Sequence, residues 1–168
     1  MTAAPLDLSD RALREGLATC LAVPRWVDEV AAGAPYASLE DLLDAAGLAA
    51  TPLSAAEVDQ ALADHPRIGE RSTGDGTASA FSTAEQASSA SDDADLAAQL
   101  AAGNRAYEEK FGRIFLIRAA GRSRSEILDE LHRRLELEPG AEIKFVAAEL
   151  RDIALRRIAQ LFGSKAAQ

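Results

Sequence analysis

The fold is indicated most clearly by residues 141–162, which read AEIKFVAAELRDIALRRIAQLF. Apolar residues recur in this stretch every three or four positions, as they do along the buried face of an α-helix. Gly163 follows directly, and glycine commonly ends a helix, so we predict a long helix from about Ala141 to Phe162. Its apolar stripe consists of Ile143, Val146, Ala147, Leu150, Ile153, Ala154 and Leu161.

One arginine falls on this apolar stripe. At about 100° per residue, Arg157 lies within roughly 40° of the centre of the stripe, whereas Arg156 points to the opposite side. An unpaired guanidinium in an apolar interior is strongly destabilising. Arg157 therefore needs either an acidic partner within the protein or an anionic ligand, and the sequence leaves both open.

Capping signals mark the other helices. A Ser at the helix start with an acid three residues later satisfies backbone N–H groups that have no intrahelical partner. The pattern occurs at Ser38/Asp41, Ser54/Glu57, Ser82/Glu85 and Ser123/Glu126. The predicted helices run from Ser9 to Leu21, around Trp26 to Ala32, from Ser38 to Gly47, from Ser54 until Pro66, from Ser82, from about Asp92 to Lys110 with Gly112 closing it, and from Ser123 to before Pro139.

Composition supports a helical fold. Apolar residues make up 48% of the 168 residues but aromatic residues only 5%, so Ala and Leu form the core, which favours helices over sheets. The apolar segment from Phe111 to Ala120 has no partner strand in the sequence, and we predict an irregular turn or a helix entry there. We therefore predict an all-α fold, a single compact domain of about seven or eight helices over residues 1–168, with a core from about 9 to 162 and short flexible tails.

Charge and cysteine content narrow the class of protein. The 27 acidic and 18 basic residues give a net charge of -9, which argues against nucleic acid or an anionic membrane as a partner. No apolar run approaches the ~18 residues of a membrane span, and residues 1–10 do not resemble a signal peptide. Cys20 is the one cysteine, so no internal disulfide can form. We expect a cytoplasmic protein.

The segment from Ile68 to Ala80 is long for a helix connection and contains three glycines. Loops of this length are usually functional or disordered. His65-Pro66 precedes it, and the capped Ser82–Gln86 stretch follows it. A histidine and a carboxylate, Glu85, thus frame the loop.

Each framing residue has a structural and a functional interpretation. His65 could complement a helix dipole at its C-terminal end, or it could act as a general acid or base, since histidine titrates near neutrality. Glu85 could simply complete its capping box, or it could help to bind a ligand at the helix N-terminus. His132 lies in a charged helix surface and is predicted to be an ordinary solvated residue. Spacings typical of metal sites, phosphate loops and nucleotide-binding loops are absent from the sequence.

Four further motifs occur in order along the chain: His65-Pro-Arg-Ile-Gly69, Phe81-Ser-Thr-Ala-Glu-Gln86, Asn104-x-x-Tyr107-x-x-Lys-Phe-Gly112 and Ile114-Phe-Leu-Ile117. Together they resemble the motifs of the 2-oxo-4-hydroxy-4-carboxy-5-ureidoimidazoline (OHCU) decarboxylases of urate breakdown. The closing stretch Ile153–Ile158, followed by Leu161, resembles the final helix of that family, and the resemblance runs from about Ser9 to Phe162.

This resemblance implies an enzyme that releases CO2 from OHCU and yields (S)-allantoin without a cofactor or a metal. Carried over residue by residue, the catalytic histidine of the family falls on His65, its active-site carboxylate on Glu85 and its substrate-binding arginine on Arg157. The substrate-contact positions fall on Pro66, Ser82, Thr83, Ala84, Glu85, Gln86, Ile117, Arg118, Ala119, Ala120 and Gly121.

Other functions are compatible with the same residues. A helical binding module without catalysis would use His65 and Glu85 only as helix caps, and a hydrolase of a related ureide would use the same pocket without releasing CO2. The expected partner is the small-molecule substrate, and the resemblance makes urate oxidase and hydroxyisourate hydrolase the neighbours in the pathway. The sequence leaves open whether the protein is a monomer or a homodimer.

Overall fold

The computed structural model of the protein describes residue 6, residues 8–63, residue 65 and residues 94–166. Within these ranges the chain forms seven α-helices and no β-strand, which confirms the all-α fold. None of the helices in the described ranges is both long and apolar enough to cross a membrane. The helices are α1 (Asp10–Cys20), α2 (Pro24–Ala32), α3 (Leu39–Ala49), α4 (Ala55–Leu62), α5 (Ala94–Phe111), α6 (Arg124–Leu135) and α7 (Pro139–Ala166).

The capping predictions that fall on described residues are confirmed. At the start of α3, the Ser38 hydroxyl accepts a hydrogen bond from the Asp41 amide at 3.1 Å. The boxes before α4 and α6 are reciprocal, because the carboxylates of Glu57 and Glu126 also accept from the amides of the capping serines, at 2.8 and 2.6 Å. The fourth box, Ser82/Glu85, lies outside the described residues.

Three of the predicted helix ends are wrong. Helix α4 ends at Leu62 instead of continuing until Pro66, and the other two ends involved a glycine. Helix α3 continues past Gly47 to Ala49, and α7 continues past Gly163 to Ala166. Neither glycine has the positive φ that ends a helix in the left-handed region. The chain beyond α3 is turned away by Thr51-Pro52 instead.

Helix α7 also begins earlier than predicted, at Pro139 itself. Proline is well tolerated as the first residue of a helix, because its missing N–H would have had no intrahelical partner there. On the predicted stripe, Val146, Leu150, Ile153 and Ala154 are buried, but Ile143 and Ala147 are only half-buried, as is Leu161. Its neighbours Ile158 and Phe162 are fully buried in its place.

The predicted end of α5 at Gly112 is confirmed, because the helix stops at Phe111. Gly112 has a φ of +69°, and its N–H donates to the Glu108 carbonyl at 2.9 Å. The chain then runs without regular secondary structure from 114 to 119, as the absence of a partner strand predicted.

Contacts between Cα atoms divide the chain into two compact units, Met1–Ala61 with Leu150–Gln168, and Leu62–Glu149. In the first unit α1 packs on α2 and α2 on α3, and the fully buried Trp26 indole donates to the Ala46 carbonyl at 2.9 Å. In the second unit α5 packs on α6 around a core that includes Tyr107, Phe115 and Leu131. The organisation as one domain stays a prediction.

Candidate active site

Arg157 is buried in the unit that holds α1, with only 3% of its surface exposed. Its Nη1 atom donates to the backbone carbonyl of Cys20 at 3.4 Å. Cys20 is the last residue of α1, so its carbonyl has no partner within the helix and carries part of the negative end of the helix dipole. The neighbouring Arg156 is exposed. The predicted orientations of these two arginines are therefore confirmed.

The thiol of Cys20 is buried beside this guanidinium, with the residue 1% exposed. Burial raises the pKa of the Cys20 thiol to about 12, although the positive charge of Arg157 opposes the increase. A thiol with such a pKa is neutral at physiological pH and is a poor nucleophile. Cys20 therefore contributes packing and a backbone carbonyl at this position.

His65 is half-buried and lies three residues after Leu62, the last residue of α4. Its backbone N–H donates to the Leu62 carbonyl at 3.0 Å, which continues the last turn of the helix. The prediction that His65 stands at a helix end is confirmed, and its role as a proton donor stays a prediction. His132 is exposed on α6, as expected of an ordinary surface histidine.

Several predicted site residues lie outside the described residues, together with the glycine-containing segment from Ile68 to Ala80. His65 belongs to the unit Leu62–Glu149 and Arg157 to the other unit. The site residues outside the described ranges are Pro66, Ser82, Thr83, Ala84, Glu85 and Gln86.

The predicted substrate-contact segment Ile117–Gly121 is described in full. Ile117 and Ala119 are buried, whereas Arg118 and Ala120 are half-buried. Gly121 is exposed, with a φ of +77°, in a turn where the Arg122 amide donates to the Ala119 carbonyl at 3.1 Å. The segment therefore runs from the core of its unit to the surface.

An ionic cluster that was not predicted lies beside this segment. Arg134 of α6 and Glu142 of α7 are fully buried and form an ion pair, with 2.5 Å between Nη2 and Oε1. The Tyr107 hydroxyl donates to the same carboxylate, and burial raises the pKa of this phenol. The guanidinium also lies over the Phe115 ring, with its Cζ atom 5.2 Å from the ring centroid.

Helical spacing could have located this cluster. Arg134 follows Leu131 by three residues, and Glu142 precedes Val146 by four, so both charges lie on apolar helix faces. Arg134 and Glu142 therefore share with Arg157 the feature of a charged residue on the apolar face of a helix. Among the described residues, no three His, Cys, Asp or Glu side chains are grouped so that they could hold a metal ion.

Comparisons with known proteins agree with the family resemblance of the four sequence motifs. The sequence model of the OHCU decarboxylase family matches residues 7–159. The chain is 33% identical over 134 residues to the mouse (Mus musculus) protein 2-oxo-4-hydroxy-4-carboxy-5-ureidoimidazoline decarboxylase, covering 77% of this chain and 74% of the mouse protein. The chain belongs to the OHCU decarboxylase family.

Three further proteins are similar to this chain in sequence or in fold. The "Uric acid degradation bifunctional protein TTL" of Arabidopsis thaliana is 29% identical over 150 residues, which are 88% of this chain but only 46% of the plant protein. This chain therefore spans about half the length of that relative. A crystal structure of OHCU decarboxylase in the presence of (S)-allantoin is similar, with a TM-score of 0.75, 26% identity, and coverage of 93% of this chain and 99% of that one. A crystal structure of (S)-allantoin synthase shares the fold alone, with a TM-score of 0.65, 15% identity, and coverage of 92% of this chain and 51% of that one.

Proposed function

We propose that this protein decarboxylates OHCU to (S)-allantoin and CO2 as a step of urate degradation. The family match over residues 7–159 and the name of the mouse relative support the reaction. The crystal structure of a similar decarboxylase in the presence of (S)-allantoin supports the identity and the handedness of the product.

The proposed step needs no electron sink other than the substrate. The bond from the ring carbon to the carboxylate breaks and CO2 leaves, while the electron pair delocalises into the adjacent C=N and carbonyl groups of the ring. The hydroxyl on the carbon that lost CO2 becomes a carbonyl as its proton passes to the nitrogen of the former C=N. One proton from the protein is added to one face of the neighbouring carbon, which makes that carbon the stereocentre. The protein has to hold the carboxylate, stabilise the developing charge and deliver this proton.

Three side chains share these tasks in our proposal. His65 donates the proton, because an imidazole can both hold and release one near neutral pH. Glu85 orients the imidazole and the N–H groups of the substrate. Arg157 binds an anionic or carbonyl oxygen of the substrate with its planar fork of donors.

The observation that carries the proposal is the burial of Arg157 in a chain of this family. A guanidinium that is 3% exposed is withdrawn from water, and water would otherwise weaken its attraction to an anion. One of its nitrogens donates to the carbonyl of Cys20 at the end of α1, at 3.4 Å. A group held in this way loses little freedom when it binds an oxyanion.

The proposal is tested by adding freshly generated OHCU to protein that has been dialysed against a chelator, and by measuring CO2 release. We expect release well above the spontaneous rate. Bound OHCU that decays at the spontaneous rate would indicate a binding module instead. Consumption of a ureide without extra CO2 would indicate a hydrolase.

A further inference from the structure

The predicted substrate-contact segment, Ile117–Gly121, follows directly on a buried stretch of chain without regular secondary structure. Phe115, Leu116 and Ile117 are all buried, with 2%, 5% and 3% of their surface exposed. No strand pairs with this stretch within the described residues. Buried backbone N–H and C=O groups nevertheless need hydrogen-bond partners, and side chains can supply them where no strand does.

Two charged side chains supply such partners on either side of Ile117. The Arg134 guanidinium donates from Nη1 to the Leu116 carbonyl at 3.0 Å. The Glu149 carboxylate accepts from the Arg118 amide, with 2.7 Å between the nitrogen and Oε2. Hydrogen bonds to charged groups are about twice as strong as those between neutral groups. The backbone around Ile117 is thus held from both sides.

Both of these side chains, Arg134 and Glu149, are positioned by other parts of the unit Leu62–Glu149. Arg134 is held by its ion pair with Glu142 and by its position over the Phe115 ring. Glu149 follows Glu142 by seven residues on α7, so the two carboxylates lie two helical turns apart on one face. Helix α7 therefore determines where both contacts fall.

We infer that Glu149 is a positioning residue for the substrate-contact segment Ile117–Gly121, acting with Arg134 through the backbone of Leu116 and Arg118. The inference rests on the proposed function. Loss of the Glu149 contact leaves the Arg118 amide without its partner and frees the backbone next to Ile117. Misplacement of a substrate-contact group by about 1 Å lowers a rate by up to ~10²-fold.

Glu149 offers a sharper test than Arg134. Removal of Arg134 leaves the buried Glu142 carboxylate without its counter-charge, and such losses often unfold a protein. Glu149 is only half-buried, and glutamine in its place keeps an oxygen that can accept from the Arg118 amide. Alanine removes that oxygen.

The experiment compares Glu149→Ala, Glu149→Gln and the control Asp152→Ala in the full-length chain. Asp152 is half-buried on the same helix, and the ion pair that it forms is with the adjacent Arg151. Hydrogen exchange of the Arg118 amide and the kinetics of OHCU turnover are measured on each variant. We expect Glu149→Ala to exchange faster at Arg118 and to lower kcat by ~10- to 100-fold with a smaller change in KM. Glu149→Gln should restore slow exchange and most of kcat, and Asp152→Ala should resemble the parent protein.

Two results would overturn the inference. One is fast exchange at Arg118 in Glu149→Ala with kcat unchanged, and the other is equal loss of kcat in the alanine and glutamine variants. A parent protein that does not turn over OHCU would instead refute the proposed function. In that case the exchange measurement would still report whether Glu149 holds the segment.

Discussion

Arg134 and Arg157 are buried in different surroundings. Arg134 is paired with the Glu142 carboxylate, whereas Arg157 donates to the backbone carbonyl of Cys20 at the end of α1. In the first arrangement a carboxylate lies beside the cation. The second places the cation at the negative end of a helix dipole, which is compatible with binding an anion as well.

Replacement of Arg157 by lysine should lower activity while the positive charge is kept. An ammonium cannot reproduce the planar fork of donors, so at least one charge-assisted hydrogen bond to the substrate is lost. We expect kcat/KM to fall by about 10- to 100-fold, which corresponds to the strength of one such bond. Arg156→Lys is the matched control, because the neighbouring side chain is exposed. Full activity of Arg157→Lys would show that the arginine has a structural role only.

His65→Asn should remove most of the activity without unfolding the protein. Asparagine can form hydrogen bonds but cannot donate the catalytic proton, and general acid–base groups typically contribute ~10²–10⁴-fold to a rate. Steady-state kinetics and the melting temperature are measured together. His132→Asn, at an exposed position of α6, should change neither quantity. If the two variants behaved alike, His65 would not be the proton donor.

At this scale the sequence predicts which residues face the core, because helical spacing is a local property. It placed Arg157 inside and Arg156 outside, as the structure confirms. It did not predict the partners of buried charges. The contact between Arg157 and Cys20 joins residues 137 positions apart, and no local pattern encodes such a distance.

At the scale of single helices, two glycines show how the end of a helix differs from its first turn. Gly112 has a φ of +69°, whereas Gly140 near the start of α7 does not have a positive φ. A Cβ added at either position would meet no atom within 4 Å. The two sites therefore differ in backbone conformation and not in space.

Gly112→Ala should destabilise the protein by roughly 1–2 kcal/mol, because an L-residue is strained in the left-handed region. Gly140→Ala should stabilise it by about 0.4–1 kcal/mol, since alanine restricts the unfolded chain more than glycine does. Denaturant unfolding of both variants measures the two free energies. Effects of the same sign would contradict this account of the helix end.

The side chain of Arg25 links helices α2, α3 and α4 through hydrogen bonds. Arg25 of α2 donates to Glu57 of α4 at 2.5 Å and to the Ala49 carbonyl at the end of α3 at 2.9 Å. The hydrogen bond from Arg25 and the bond from the Ser54 amide lower the pKa of Glu57 to about 2. The ionised form of Glu57 is therefore favoured in the folded protein.

This lowered pKa predicts a specific pH dependence. Because the carboxyl group binds a proton more weakly in the folded state, its contribution to stability is complete above the unfolded pKa of about 4.3. It is lost as the pH falls towards about 2. The difference in unfolding free energy between the parent and Glu57→Gln should thus be largest near about pH 6 and shrink on acidification. Glu109→Gln, at an exposed position of α5, is the control. A difference that stays constant over this range would contradict the assignment.

Helix ends were harder to predict than helix starts for a physical reason. A start is marked by side-chain chemistry, as at Ser54 and Ser123, and the reciprocal hydrogen bonds are present. An end marked by glycine depends on whether that glycine adopts a positive φ, which the wider structure decides. Gly112 does so, but Gly47 and Gly163 do not.

For the whole molecule, the all-α class followed from composition and periodicity, and the family followed from four motifs in order. The family match over residues 7–159 includes residues of both compact units. The pairing of α6 with α7 through Arg134 and Glu142 could not be predicted as a contact, although each charge was visible on an apolar face. Tertiary pairing depends on how helices meet, whereas periodicity reports one helix at a time.

The handedness of the allantoin formed from OHCU tests the central claim most directly. OHCU decays spontaneously to a racemic product, so only a protein that delivers the proton to one face gives an optically active one. Circular dichroism of allantoin formed from freshly generated OHCU should show the (S) product with the parent protein and a near-racemic product with His65→Asn. Racemic allantoin formed at the spontaneous rate, in the presence of well-folded parent protein, would contradict the account.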